Sequence, residues 1–241
     1  MKIYFNYANT PRYLQKQKEA IDVNKSFNIF DVLYGFNSND IDEEFKSKYS
    51  NILNQSRGGG YWLWKSYFLD KLLQNSKEND IIVYGDASIK IIKDISPLFS
   101  ILDETKGVMT FLAANGNDNF NPEKIHTKRD IFVALNCDTP YYYTGDYNCQ
   151  FNGAFLLVKN NEFSRNFIKE FLYYCTDEQL ITDTVSRHEN YPEFSDNRHD
   201  QSILSLLSKK HNLYPYPDPT QWGNSYRENS NVIEFLYHDR S

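Results

Sequence analysis

A chain of 241 residues is comfortable for one α/β domain and tight for two, so residues 1–241 are expected to form a single domain. Hydrophobic residues at 40% and charged residues at 24% lie in the globular range and exclude disorder as the default. A formal net charge of -6 with no basic run excludes a dedicated nucleic-acid binder, because affinity for a phosphate backbone needs clustered Lys and Arg. Rings are abundant, with 19 Tyr, 17 Phe and 3 Trp against 10 Gly and 2 Met. Flat rings suit sugar or base clefts, but codon bias gives the same composition, so it carries no functional weight. Three cysteines, Cys137, Cys149 and Cys175, have neither C-x-x-C spacing nor an even count, which argues for reduced thiols in a cytosol rather than zinc or disulfides. MKIYFNYANT lacks the apolar stretch of a signal peptide and no later segment reaches membrane-spanning length. The expectation is a cytoplasmic protein with at most peripheral membrane contact.

Lys2 to Tyr7 reads as a buried strand, and Thr10-Pro11 supplies a helix start, a capping hydroxyl followed by a first-turn proline. Ser26 to Leu33 alternates as a second strand, and Asp40 to Leu53 carries Ile41, Phe45, Tyr49 and Leu53 at helical spacing. After Arg57 and a triple glycine, Tyr61 to Leu73 places Tyr61, Trp64, Phe68 and Leu72 on one helical face. From Asp80, the apolar run Ile81 to Tyr84 predicts a strand covered on both faces and central in the sheet. Further strands are expected at Gly107 to Ala113 and Phe151 to Val158, and helices at Asn160 to Tyr174 and Gln201 to Leu207. Ala114 to Gln150 reads as a long irregular excursion with a short helix near Arg129 to Leu135, and Val232 to His238 as a last short strand. Strands alternating with helices imply an α/β sandwich, and no repeat or low-complexity linker marks a second domain.

Chemistry enters at Asp86, which follows Tyr84-Gly85 and therefore projects from the carboxyl edge of the central strand. Ligands of open α/β sheets bind at that edge. A carboxylate there can hold Mg²⁺ or Mn²⁺ against the phosphates of a nucleotide sugar, or it can serve as a turn residue beside glycine.

The segment RGGGYWLWKSYFLDKLLQNSKENDIIVYGDAS, Arg57 to Ser88, about an eighth of the chain, resembles a signature of GT-A glycosyltransferases of bacterial and viral surface-polysaccharide systems. The pattern is R-G-x-G-Y-W-x-W-K, a helix, then D-I, two hydrophobic residues and Y-x-D-A-small. Later landmarks follow in order: NGAFLLVK at Asn152 to Lys159, RHDQSILSLL at Arg198 to Leu207 and HDR at His238 to Arg240. The resemblance implies a single-domain GT-A fold, a Rossmann-like mixed sheet flanked by helices. It also implies transfer of a sugar from a nucleotide-diphosphate donor, UDP by default, to a glycan, lipid-linked or protein acceptor. The family motif at the strand end is Asp-X-Asp, whereas this chain has Asp86-Ala87-Ser88. Ser88 or a water then takes the second position, and His238 becomes the candidate that completes the shell of a Mn²⁺ or Mg²⁺ ion held by Asp86. Catalysis by cationic side chains without metal is the alternative.

On the same resemblance, Tyr7, Ala8 and Asn9 lie under the nucleotide base, and Arg57, Tyr61 and Lys65 belong to the donor side. Arg57 and Lys65 clamp the diphosphate beside the glycines. Asn152 and Gly153 contact a sugar, unless they form a bulge at a strand start. Asp200 faces the reacting sugar as base, nucleophile or positioner, unless it is a helix cap. His188 and His199 lack ligand spacing and read as structural or exposed. Two rivals stand beside the transferase: a GT-A-like glycan- or nucleotide-binding module without turnover, and a nucleotidyltransferase, whose glycine-rich loop is missing after Tyr7.

Overall fold

The computed structural model describes residues 1–113, 122–144, 148–220 and 235–239. Strand β1 (Lys2–Tyr7) enters helix α1 (Pro11–Ser26), with Thr10 at the cap and Pro11 in the first turn. Strand β2 (Val32–Phe36) follows, then a broken helical stretch and helix α2 (Leu63–Asn75). Next come β3 (Ile81–Gly85), β4 (Ile89–Ile91), α3 (Ser96–Asp103) and β5 (Val108–Phe111). Short helices Glu123–His126 and Arg129–Ala134 precede β6 (Phe155–Lys159), α4 (Glu162–Cys175) and the short helix Glu178–Ile181. Helix α5 (Asp200–Lys210), β7 (Pro215–Tyr216) and β8 (Leu236–His238) complete the order.

The main sheet is ordered β2-β1-β3-β6-β5-β7, and β4 pairs with β8 in a separate two-stranded sheet. Strands β2, β1 and β3 are mutually parallel, whereas β6 runs antiparallel to both β3 and β5, so the sheet is mixed. Strand alternation divides the core. Phe5, Ile82, Tyr84 and Val158 face a cluster with Phe68 and Leu69 of α2 and Phe167 and Phe171 of α4. Tyr4, Val83, Phe155 and Leu157 face a second cluster with Ile89, Leu98 and Phe99. Burial on both faces is why Ile81 to Tyr84 reads as one apolar run. Ring pairs add shape to the first cluster: Phe36 stacks on Phe68 at 4.2 Å and Tyr7 on Trp64 at 4.1 Å.

Several expected boundaries move, each for a local reason. Of the strand expected over 26–33 only Val32 and Leu33 are in β2. Helix α1 runs to Ser26, Asn28 turns the chain at φ 54°, and Asp31 fastens Lys2 through its carboxylate at 2.6 Å, so pairing with β1 starts at Val32. The single helix expected over 40–53 is broken. Asn37 and Asp40 cap each other around a 3₁₀ turn, and Tyr49 (φ -115°, ψ 30°) separates Glu43–Lys48 from Ser50–Leu53. Helix α2 starts at Leu63 because Tyr61 and Trp62 hold positive φ. Phe151 makes only an isolated bridge to Leu112, and continuous pairing begins at Phe155. Of the expected tail strand, residues 232–234 lie outside the described residues, as do 114–121 and 145–147 of the irregular excursion.

What is described of that excursion is tied down by buried polar groups. Glu123 and Lys209, both fully buried, form an ion pair, and Thr127, Gln150 and Ser205 also donate to Glu123. Asp130 accepts the backbone N–H groups of Arg187 and His188 at 2.9 Å each, the Gln179 amide, and faces the His188 ring at 2.8 Å. Burial would raise this carboxyl, but those hydrogen bonds outweigh it and bring it down to about 2. A folded-state value below the unfolded one stabilises the protein above roughly pH 4 and loses that contribution as the pH falls toward 2. Asp130→Asn is therefore expected to lower unfolding free energy at pH 7 by about 2 kcal/mol. Urea titrations at pH 7 and pH 3 should show the difference between variant and wild type shrinking at the lower pH.

Candidate functional site

The site assembles where β1 and β3 end. At the exit of β3, the N–H of Asp86 donates to the carbonyl of Ala154 at 2.8 Å, and the N–H of Ile89 returns to the carbonyl of Asp86 at 2.8 Å. The hydroxyl of Tyr84 donates to one oxygen of the Asp86 carboxylate. Burial and the neighbouring Asp86 charge push the Tyr84 phenol far above its ordinary range, so it stays a donor. The β4–β8 ladder sets Ile89 opposite His238, and the N–H of Asp239 donates to the carbonyl of Ser88 at 3.1 Å. A segment 150 residues downstream is thereby brought to the edge that carries Asp86.

Two cavities meet there. The first, about 390 Å³, is lined by Tyr7, Ala8 and Asn9 from the end of β1, by Arg12, Tyr13 and Lys16 from α1, and by Gly58, Gly59 and Trp62. Asp86, Ser88, His238 and Asp239 close its other side. The second, about 320 Å³, is lined by Arg57, Lys65, Gly153, Asp196, Arg198, His199, Asp200 and Gln201. Asp86 and Trp62 belong to both.

Between them runs an unusual turn. Gly58, Gly59, Gly60, Tyr61 and Trp62 all have positive φ, from 51° to 97°, so the chain makes a left-handed turn before α2. Gly59 suits this left-handed conformation, and a Cβ there would come within 2.2 Å of the Asn9 side-chain amide, which would have to move. Tyr61 and Trp62 have no such freedom, and each costs about 1–2 kcal/mol in this conformation. Contacts hold them: the Tyr61 hydroxyl donates to Asp183 at 3.2 Å, and Trp62 stacks on His199 with centroids 5.4 Å apart.

In the second cavity, Lys65 and Asp200 form an ion pair, with each residue only 3% exposed. The Lys65 ammonium also donates to the carbonyl of Gly153 at 2.7 Å and lies 4.9 Å from the Tyr84 ring centre. Burial pushes the Asp200 carboxyl up to about 6, with Lys65 pulling the other way.

The sequence-derived residues distribute as follows. Tyr7, Ala8, Asn9, Asp86, Ser88 and His238 come together around the first cavity, and Arg57, Lys65, Gly153 and Asp200 join Asp86 around the second. Three differ from expectation. Tyr61 lines neither cavity, because its positive φ turns it toward Asp183. Asn152 lines neither, because its side chain is spent on Asp218 at 3.1 Å and on the N–H of Ala154 at 2.7 Å. Lys65 does not reach outward as a diphosphate clamp but inward to Asp200. Arg57 pairs with Asp183 at 3.1 Å. Arg12 and Lys16, whose i, i+4 spacing on α1 was the available signal, line the first cavity without having been expected there, as does Tyr84, expected only as a strand residue. His199, expected to be structural or exposed, lines the second. Among the described residues no three His, Cys, Asp or Glu side chains gather closely enough to hold a metal ion by themselves.

No known protein family matches this sequence, and no curated protein does. Solved structures do. Mouse xyloside xylosyltransferase 1 in its apo form aligns with 100% of this chain and 98% of its own at a TM-score of 0.51 and 12% identity. An active-site mutant of LgtC aligns over 100% and 88% at 0.51 and 14% identity. The bifunctional glycosyltransferase WbbM aligns over 99% of this chain but 45% of its own at 0.53 and 11% identity. The fold is thus the mixed α/β sheet flanked by helices of the GT-A glycosyltransferases.

The buried pair gives a direct test. Removing the ammonium in Lys65→Met leaves Asp200 to ionise alone in a desolvated site, so its carboxyl should move further up from about 6. A folded-state value raised above the unfolded one means that stability falls as pH rises through that interval. Urea denaturation should show the variant destabilised by about 3 kcal/mol at pH 8 and by much less at pH 5. Equal losses at both pH values would mean that Asp200 carries no charge in the wild-type site.

Proposed function

We propose that this chain, acting as one GT-A domain over residues 1–241, is a glycosyltransferase that moves a sugar from a nucleotide-diphosphate donor, UDP by default. The observation that carries the reading is the pair of cavities joined at Asp86 on the carboxyl edge of β3. The first, about 390 Å³, would take the nucleotide, the second, about 320 Å³ and lined by charged and polar side chains, would take the sugar, and the diphosphate would lie between them at Asp86. The acceptor is a glycan, a lipid-linked sugar or a protein. Among the described residues no helix is long and apolar enough to cross a membrane, and a cytoplasmic location with peripheral membrane contact at most fits the proposal.

Asp86 and His238, with the Ser88 hydroxyl, offer a hard oxygen and an imidazole nitrogen, a donor set that suits Mn²⁺ or Mg²⁺ once diphosphate oxygens supply the remaining positions. Such an ion, when bound, would neutralise charge on the departing diphosphate. Tyr84 orients Asp86 by holding one carboxylate oxygen. Tyr7, Ala8 and Asn9 form the floor for the base, while Arg12 and Lys16 bring positive charge to the phosphates. In the second cavity Gly153 gives close backbone approach, and Asp200, held by Lys65, presents carboxylate charge toward the carbon that becomes positive as its bond to the diphosphate breaks. Arg57 borders the same cavity and is a cation that would turn toward the leaving group once released from Asp183.

Two measurements check the proposal. UDP at about 100 times its dissociation constant, with Mn²⁺, should raise the melting temperature by about 5 °C or more, and Mn²⁺ or UDP alone should do less. Release of UDP from UDP-sugars should fall at least about 100-fold in Asp86→Ala and about 10-fold in Tyr84→Phe, which keeps the ring and loses the hydrogen bond. Wild-type turnover in Asp86→Ala would refute the assignment.

A further inference from the structure

His199 has no part in the proposed chemistry so far, yet it is built into the second cavity under unusual constraint. It directly precedes Asp200 and holds φ 56° and ψ -119°, a conformation that glycine enters far more readily than a residue with a side chain. Its ring is 2% exposed, stacked against Trp62 and 4.9 Å from the centre of the Tyr61 ring. Nδ1 lies 2.8 Å from the carbonyl of Ile181. A carbonyl oxygen only accepts, so the proton sits on Nδ1, and in the neutral ring Nε2 is a bare acceptor. Burial favours that neutral form.

Nε2 is buried and has no hydrogen-bond partner among the described residues. The nearest carboxylate oxygen, on Asp183, is 3.9 Å away, and that acid is already engaged by Arg57 and Tyr61. An unpaired buried acceptor is costly. A group that donates a proton in a hydrogen bond from the cavity would satisfy it. The cavity that His199 lines is the one assigned above to the transferred sugar, whose hydroxyls are such donors.

We propose that Nε2 of His199 accepts a hydrogen bond from a hydroxyl of the sugar being transferred and thereby sets donor preference. The inference rests on the glycosyltransferase reading and adds a specificity residue to it. His199 does not line the first cavity, so the nucleotide itself should not sense its replacement.

Two substitutions separate the two ring nitrogens. His199→Asn keeps an amide donor near the position of Nδ1, tolerates positive φ better than most side chains, and removes Nε2. His199→Gln places an acceptor near the position of Nε2 and gives up the bond to Ile181. Calorimetric titration of UDP, UDP-glucose and UDP-galactose with Mn²⁺ gives, for each protein, the affinity of each nucleotide sugar relative to UDP. For the preferred sugar that ratio should drop about tenfold in His199→Asn and be largely kept in His199→Gln, with UDP affinity unchanged in both. In ¹⁵N spectra of the wild type, the Nε2 resonance should move with the preferred UDP-sugar and not with UDP. An unchanged ratio in His199→Asn, or a parallel loss of UDP and UDP-sugar, overturns the inference while leaving glycosyl transfer standing. Failure of the wild type to bind UDP overturns both.

Discussion

The organisation of the site depends on one buried contact, the ion pair between Lys65 and Asp200. Both charges are removed from water, which in general is not repaid by their mutual attraction alone. Here the ammonium gains a second partner, the carbonyl of Gly153, and the carboxylate stays on the wall of a cavity rather than sinking into the core. Three distant segments are fixed by this contact at once: α2 through Lys65, the entry to β6 through Gly153, and the first turn of α5 through Asp200. A hydrophobic pair of the same volume could hold those segments together equally well. On the proposed reading, charge is kept at this place because a carboxylate must face a carbon that turns positive.

The left-handed turn before α2 follows from the same arrangement. Lys65 lies in the first turn of α2, so its reach to Asp200 depends on where that helix begins, and the left-handed turn after Arg57 sets the start at Leu63. Three glycines make most of that turn at no conformational cost, but Tyr61 and Trp62 complete it under strain. What they gain is position. Trp62 becomes a wall common to both cavities, and the carbonyl of Gly58 receives the Trp64 indole at 2.9 Å. Asn9, packed against Gly59, couples the turn to the end of β1. Strain here is balanced by contacts on either side, with Asp183 for Tyr61 and with His199 for Trp62.

Much of this was legible in the residues. The apolar run Ile81 to Tyr84 marked the central strand because burial on both faces leaves no polar position, and Asp86 stood out because it ends that run. Residues of the segment Arg57 to Ser88 line both cavities. What the residues hid was direction. A lysine in an aromatic helix looks like a group seeking solvent, and nothing in YWLWK reveals an acid 135 positions later at hydrogen-bond distance. Tyr61 fitted the helical face by spacing, yet the glycines before it impose a backbone that propensity does not encode. Asn152 resembled a ligand contact, but its amide oxygen accepts in a local turn and its amide nitrogen donates to Asp218. Histidines without ligand spacing carry no signal, so His199 became visible only when its two nitrogens were seen in unequal surroundings.

On the proposed reading, Ser88 in the place of a second acidic residue takes its meaning from β8. In a strand-end pair of carboxylates, both acids come from one short segment and their repulsion must be offset by a cation. Here the second contribution arrives by a ladder, with Ile89 opposite His238 and Ser88 bonded to Asp239 through the backbone. The adjacent carboxylate, Asp239, is directed to Lys16 of α1 at 3.1 Å. Imidazole in place of carboxylate lowers the negative charge of the pocket, and a lysine has drawn the remaining acid aside. A pocket so arranged repels a diphosphate less before any ion enters. On the proposed reading its affinity for a divalent cation alone would be correspondingly weak, and ion and nucleotide are expected to bind as a unit, each supplying ligands or charge that the other lacks.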